Sequence, residues 1–241
     1  MSTARFEAAL AEAGVTAQTL SQADRDALDR DGYLILRGVF DGAQSATLTE
    51  TFEHLFVPSH QWPMPRGWDT RHAMLNEDLE VRRACLAAPL LAAAHHILKR
   101  RFYLADVQGR DPKPGGGLQK LHRDWVVPEG PAPMVIGLAF LDAFGAENGA
   151  TRLLPGTHRE SGGPDAYGDH GPDHPGQVIV EGEAGDVLIM DGYLVHGGTK
   201  NRAGRHRRNL QINFQAHELY GAGSTTLPQA PAALRYLFGE D

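Results

Sequence analysis

Apolar residues along the chain change their period near residue 102. Before that point they recur at helical spacing. Phe6, Leu10 and Val15 mark an Ala-rich stretch over residues 1–20, Leu48, Phe52 and Leu55 return every three or four residues, and Leu79 and Leu86 lie seven apart. Local signals bound these helices. Ser21-x-x-Asp24 has the form of a capping box, with Leu28 as the first inward residue and Gly32 as the C-cap. Asp41 and Gln44 are placed to cap the helix of Leu48, and Asn76 is the expected cap of the helix through Leu79 and Leu86. Pro89 opens the last helix, which ends near the basic Lys99-Arg100-Arg101. Tyr33–Leu36 reads as one early strand, stopped by Gly38, and the proline-rich stretch from Pro58 to Gly67 reads as a loop.

From Phe102 onward short apolar runs, separated by Gly, Pro and Asp, take over: 102–107, 134–141, 151–154, 178–180, 187–190, 193–196 and 209–214. The turn pairs Gly185-Asp186 and Asp191-Gly192 bracket Val187–Met190, while Gly162 to Gly176 is polar and predicts a long loop over a barrel mouth. Many short strands with this punctuation predict a mainly β fold, a jelly roll or cupin-like double-stranded β-helix, with the N-terminal helices packed on it. The expected organisation is one domain: a helical layer with one early strand over 1–101, a jelly-roll core over 102–216 and a C-terminal tail over 217–241.

Composition narrows the class. Hydrophobic residues at 41% and charged residues at 22% are ordinary for a globular protein, and 241 residues suffice for one sizeable core. A net charge of -7 argues against a general nucleic-acid binder. The single cysteine, Cys85, cannot form an internal disulfide and fits a reducing compartment. No basic region followed by an apolar run opens the chain, and no uncharged apolar stretch is long enough to span a bilayer. The expectation is a soluble, cytoplasmic protein that binds neither nucleic acid nor membrane.

Candidate chemistry is concentrated between Leu121 and Arg208. His122 and Asp124 lie two apart, so on a strand they share a face, and His196 follows an apolar run at the end of a strand. Two histidines and a carboxylate form a facial set suited to non-haem Fe(II) with open positions. Arg207, eleven residues after His196, is a fixed cation able to grip a carboxylate with two parallel bonds. Taken singly these residues are weak signals, since a chain with 12 histidines holds roughly one His-x-Asp pair by chance. Their order carries the reading: the pair follows the Gly-rich turn Pro114–Gly117, the second histidine ends a strand, and the arginine opens the next.

Four ordered blocks resemble the phytanoyl-CoA dioxygenase family of Fe(II)/2-oxoglutarate oxygenases. They are Leu28-Asp29-Arg30-Asp31-Gly32-Tyr33-Leu34-Ile35-Leu36-Arg37-Gly38-Val39-Phe40, then Gln119-Lys120-Leu121-His122-Arg123-Asp124. The most specific is Glu147-Asn148-Gly149-Ala150-Thr151-Arg152-Leu153-Leu154-Pro155-Gly156-Thr157-His158, and the last runs from Gly185 to Gly197. The resemblance covers nearly the whole chain. It implies that His122, Asp124 and His196 are the iron ligands and that Arg207 binds the distal carboxylate of 2-oxoglutarate. It also puts Gln119 and Thr151 at further cosubstrate contacts. Arg208, alternating to the opposite face, is expected to be solvated or ion-paired. Trp125 is weighed equally as pocket lining and as core. Trp62, Met64, Trp68, His72 and Asn76 fall in the region that covers substrate in similar proteins. His158 is expected to be structural, and His95-His96, diverging on a helix, is no metal pair.

The implied reaction consumes 2-oxoglutarate and O2, releases succinate and CO2, and oxidises, by default hydroxylates, a C–H bond of a small-molecule substrate. The carboxylate at Asp124 disfavours halogenation, in which similar enzymes carry a small residue there. Desaturation, epoxidation and ring closure share the oxidising step and stay open. A free metabolite or natural product is favoured over an acyl-CoA, since no extra nucleotide-binding segment is visible. Dimers occur among similar proteins, so a homodimer is left open. Two rival classes are a cupin-like metal enzyme that does not use 2-oxoglutarate, which would need no Arg207, and a non-catalytic jelly-roll binding module, which would need none of the four polar residues.

Overall fold

The computed structural model describes residues 3–55, 70–71, 78–125, 130–160 and 174–219. Five helices come first: α1 (Thr3–Glu12), α2 (Gln22–Asp31), α3 (Gly42–Leu55), α4 (Leu79–Cys85) and α5 (Ala88–Leu98), with β1 (Tyr33–Leu36) and β2 (Thr70–Arg71) between them. The barrel strands follow: β3 (Phe102–Arg110), β4 (Met134–Phe140), β5 (Thr151–Leu153), β6 (Val178–Ile179), β7 (Val187–Asp191), β8 (His196–Gly198) and β9 (Asn209–Ala216). They form a six-stranded sheet in the order β1-β7-β4-β9-β3-β2 and a three-stranded sheet β6-β5-β8, all pairings antiparallel. Two facing antiparallel sheets with helices on the outside of the larger one make the expected double-stranded β-helix.

Strand alternation builds the layers. Outward positions of the large sheet, Leu104, Val107, Val135, Ala139, Val187, Ile189, Leu210, Ile212 and Phe214, join Phe6, Leu90, Leu91 and Leu98 of the helices in one core. Removing each of the Val, Leu, Ile and Phe side chains from water contributes roughly 1.5–3 kcal/mol. Inward positions Met134, Ile136, Leu138, Phe140, Leu188 and Met190 form a second core with Leu153 of the small sheet and Val180 just beyond β6.

Local signals explain the entry to the sheet. The capping box forms as predicted: Asp24 N–H donates to Ser21 Oγ at 3.1 Å and Ser21 N–H to Asp24 Oδ2 at 3.0 Å. Gly32 ends α2 in the left-handed region at φ 80°, and a Cβ there would stand 2.4 Å from His158 Nδ1. β1 therefore starts at once and pairs with β7.

Several boundaries differ from the sequence reading. Asn76 lies outside the described residues, and α4 is capped instead by Asp78, whose Oδ1 accepts from Glu80 N–H at 2.7 Å and Val81 N–H at 3.1 Å. The apolar run 193–196 is not a strand. Asp191 Oδ1 accepts from Tyr193 N–H at 2.7 Å, which turns the chain through 192–194 and delays β8 until His196. Strands β3 and β9 run on to Arg110 and Ala216, past the apolar stretches that marked them, because they pair with each other along their length. The loop predicted over 162–176 falls outside the described residues as far as 173.

Candidate active site

The segment carrying His122 runs antiparallel to β8. Gln119 N–H donates to Gly198 O at 2.9 Å, His122 N–H to His196 O at 2.8 Å, and His196 N–H returns to His122 O at 2.9 Å. The approach is close enough to need glycine: a Cβ on Gly198 would lie 2.4 Å from Gly117 O. The two histidines thus stand opposite one another with ring centroids 4.6 Å apart.

Ligand atoms of His122, Asp124 and His196 all lie within 4.8 Å of one another. Asp124 Oδ1 is 3.4 Å from His122 Nε2 and its Oδ2 is 3.8 Å from His196 Nε2. Each imidazole is oriented from behind: His122 Nδ1–H donates to Lys120 O at 2.8 Å and His196 Nδ1–H to Leu194 O at 2.9 Å. A carbonyl can only accept, so the proton sits on Nδ1 and the Nε2 lone pair of the neutral ring faces the cluster. Burial pulls the His196 imidazole down, reinforced by His122 beside it. Burial is the largest influence on both His122 and Asp124 and opposes their charged forms, but several attractions together outweigh it. The pairing of the two with each other, Lys120 O behind His122, and His196 and Arg110 near Asp124 raise His122 and hold the Asp124 carboxyl down at about 2. The donor set a metal would meet is the Nε2 atoms of two imidazoles and one carboxylate, converging from the edge of a cavity. It fits a divalent first-row metal.

That cavity, about 650 Å³, is lined by His122, Asp124 and His196 and equally by Arg207, Gln119 and Thr151. All six residues singled out in the sequence meet in one place. Arg207 is 8% exposed, with its guanidinium 4.9 Å from the centroid of Phe144, which stacks in turn on Phe140 at 3.7 Å. Thr151 is buried on β5 opposite Gly198. The Gln119 side chain has a structural tie, its Oε1 accepting from Gly198 N–H at 2.9 Å. Arg208 turns away, as alternation requires, into ion pairs with Asp142 (Nη2–Oδ1 2.6 Å) and Glu53. Trp125 lines the cavity. His158 packs against Gly32, and the nearest acids to His95 and His96 are Glu7 and Asp29 at 3.6 and 3.1 Å. Trp62, Met64, Trp68, His72 and Asn76 are outside the described residues.

Two features went unread in the sequence. Arg152, only 1% exposed, donates through Nη2 to Gln119 O at 2.7 Å, and Arg123 donates to Thr157 O at 2.7 Å, so buried arginines clamp the segment that carries His122. The other is the inward face of β3 and β9, which is polar: Asp106, Gln108 and Arg110 on one strand, Asn209, Gln211, Asn213 and Gln215 on the other. A signal existed for β9, where amides alternate strictly with Leu210, Ile212 and Phe214.

A double-stranded β-helix with two histidines and a carboxylate at the edge of its interior cavity is the build of a non-haem metal oxygenase. The chain belongs to the phytanoyl-CoA dioxygenase family, whose model matches residues 28–209. It is 32% identical to the dioxygenase FUM3 of Gibberella moniliformis over 220 residues, covering 79% of this chain and 70% of that protein. Against the dioxygenase aneA of Aspergillus aculeatus it is 36% identical over 112 residues, 43% of this chain and 37% of the relative, so the match spans little more than a third of that protein. The fold recurs in HygX from Streptomyces hygroscopicus, solved with nickel, 2-oxoglutarate and hygromycin B bound, at a TM-score of 0.69 and 17% identity over 82% of this chain and 88% of HygX. No described helix is long and apolar enough to cross a membrane.

Proposed function

We propose that this chain is an Fe(II)/2-oxoglutarate-dependent oxygenase that hydroxylates a C–H bond of a small metabolite or natural product, with succinate and CO2 as co-products. The observation that carries the reading is the convergence of His122, Asp124 and His196 within 4.8 Å at a cavity that also receives Arg207. His122, Asp124 and His196 would hold the iron. Arg207 would grip the distal carboxylate of 2-oxoglutarate, with Thr151 and the Gln119 amide nitrogen on the same molecule. Bound there, iron and 2-oxoglutarate supply the oxidising chemistry, in which the atoms of O2 divide between succinate and product.

The chain's own residues supply position. Backbone carbonyls of Lys120 and Leu194 fix the tautomer and aim both imidazoles, with Nε2 of each toward the cluster. The Phe144 ring under Arg207 limits the motion of the guanidinium, so less freedom is lost when a carboxylate binds. Burial of Arg207 and His196 excludes water from that side. The carboxylate at Asp124 argues against halide transfer, and Arg207 within the cavity argues against a cupin-like enzyme that dispenses with 2-oxoglutarate. HygX, with hygromycin B bound beside 2-oxoglutarate, supports a small-molecule substrate. The reading treats 1–101, 102–216 and 217–241 as helical layer, barrel and tail of one cytoplasmic oxygenase domain, with a homodimer as the assembly to be tested.

Anaerobic titration of metal-free protein with Fe(II), then 2-oxoglutarate, tests the site. The expected result is a weak visible charge-transfer band in wild type that fades in Arg207→Ala. Tight iron binding without the band would favour the cupin-like enzyme, and no iron binding would leave a binding module.

A further inference from the structure

The inward face of the large sheet is divided. Across β7 and β4 it carries Leu188, Met190, Met134, Ile136 and Leu138, whereas the adjoining β9 and β3 present Asn209, Gln211, Asn213 and Gln215, then Gln108 and Asp106. Register places these in cross-strand rows: Ile136–Asn213–Asp106, Leu138–Gln211–Gln108 and Phe140–Asn209–Arg110. The same strands are wholly apolar on their other face, so β-propensity and packing do not account for the amides.

Part of this polar wall is internally satisfied. Gln108 Nε2 donates to Asp106 Oδ2 at 2.6 Å, Arg110 Nη2 to Gln108 Oε1 at 2.9 Å, and Tyr103 OH to Gln215 Oε1 at 2.8 Å. Asn209 is not. It is 1% exposed, lines the cavity at the first position of β9, two residues beyond Arg207, and neither its Oδ1 nor its Nδ2 has a hydrogen-bond partner among the described residues. A buried amide with two donor hydrogens and an acceptor oxygen free is expensive unless a ligand supplies the complement. The Gln211–Asn213 bond at 3.4 Å is long and leaves most of the capacity of both amides free.

We infer that the β9–β3 wall, Asp106, Gln108, Asn209, Gln211, Asn213 and Gln215, is the recognition surface for the primary substrate, and that this substrate is a polyhydroxylated or amide-rich small molecule rather than a terpenoid or an acyl chain. The inference rests on the oxygenase reading for the site's identity and adds the substrate class. At about 650 Å³ the cavity is within the range of small-molecule sites. An apolar ligand would leave Asn209 without a partner and cover the free polar atoms of Gln211 and Asn213, losing roughly 5- to 150-fold in affinity for each amide left unpaired. A polyol or amide would answer each in turn.

The test has two arms. In metal-free protein, the near-isosteric Asn209→Leu should raise Tm by about 3–6 °C, because it removes an unpaired buried amide. A lower Tm, or failure to fold, would give Asn209 a structural role and overturn the inference. In the second arm, protein loaded with Fe(II) and 2-oxoglutarate is challenged with myo-inositol, trehalose and kanamycin, and separately with farnesol, menthol and decanoic acid, reading succinate release. Stimulation at least tenfold greater by the first group, with KM raised at least tenfold by Gln211→Met and little change in kcat, is the expected outcome. Stimulation by the second group alone overturns the inference, and if both groups are silent the Asn209→Leu result decides. Absence of the charge-transfer band in wild type would instead defeat the oxygenase reading, and the metal-free arm would still report on the wall.

Discussion

The two halves of the barrel interior share one backbone pattern and differ in what they are for. Both are inward faces of antiparallel strands, in register across β7, β4, β9 and β3, and both turn apolar side chains outward to the helices. Inward, the β7–β4 half closes on Leu153 of the small sheet and on Val180 beside it, and holds the sheets together. The β9–β3 half keeps amides, a carboxylate and two arginines around open space. The β7–β4 half packs the sheets together and also lines the cavity through Met134, Ile136, Leu138 and Met190, while the β9–β3 half supplies the polar wall of that cavity. A barrel that filled its interior evenly would have nowhere to put a ligand, and one lined evenly with amides would lose the apolar contact that closes it.

The sharpest way to break the contrast is Arg207→Ala. Removing one member of a buried charge pair costs about 3–5 kcal/mol, so binding of 2-oxoglutarate, followed by the charge-transfer band, should weaken by two orders of magnitude or more. Its Tm should stay near wild type. Ile136→Ala should do the reverse, losing about 2–5 kcal/mol in denaturant unfolding while the band persists at temperatures where the variant is folded. Equal effects of the two variants on both readouts would dissolve the distinction.

Asp191, at the end of β7, sharpens it through pH. Burial pushes this carboxyl up to about 7, against the pull of Tyr193 N–H and Arg123. The folded protein therefore holds a proton that the unfolded chain releases from about pH 4 upward. Unfolding releases that proton, so this group's contribution to stability is full below about pH 4 and falls by a few kcal/mol as pH rises to about 7. Denaturant unfolding across that window should show the slope, and Asp191→Asn should flatten it. Asp186 works in the opposite sense. Burial alone would raise its pKa, but Glu183 N–H, Gly38 N–H and Arg37 together lower it, so its contribution disappears as pH falls through that depressed value.

A smaller effect is expected behind the metal site. Arg152→Met keeps the bulk of a buried side chain but frees the Gln119 carbonyl, and iron affinity should drop about 10- to 100-fold. An unchanged affinity would show that pairing with β8 alone holds the His122 segment.

Much of this was legible in the sequence, for reasons that are local. The capping box at Ser21, the turn pairs around Val187–Met190 and the period change at Phe102 each involve neighbours in sequence. The early strand could be seen, but its partner β7 could not, since nothing in four residues names a pairing across the length of the domain. Asp78 displaced Asn76 as a cap, and the Asp191 side chain turned an apolar run away from the sheet. Both are contests among hydrogen bonds that composition leaves nearly balanced. The six candidate residues at the site were legible by type and order; their convergence was not.

By itself the sequence determined where most barrel strands lie, the turn pairs around Val187–Met190, and the chemical identity of two histidines, a carboxylate and an arginine. These follow from side-chain type and period, which need no knowledge of partners. Only the tertiary structure decided that the amides of β9 stand beside Asp106 and Gln108 of β3 on one wall of the cavity, that Phe144 lies under Arg207, and that Asn209 is buried unpaired. Those facts depend on which strands become neighbours, and a strand's partner is selected by the packing of the whole barrel rather than by anything within the strand.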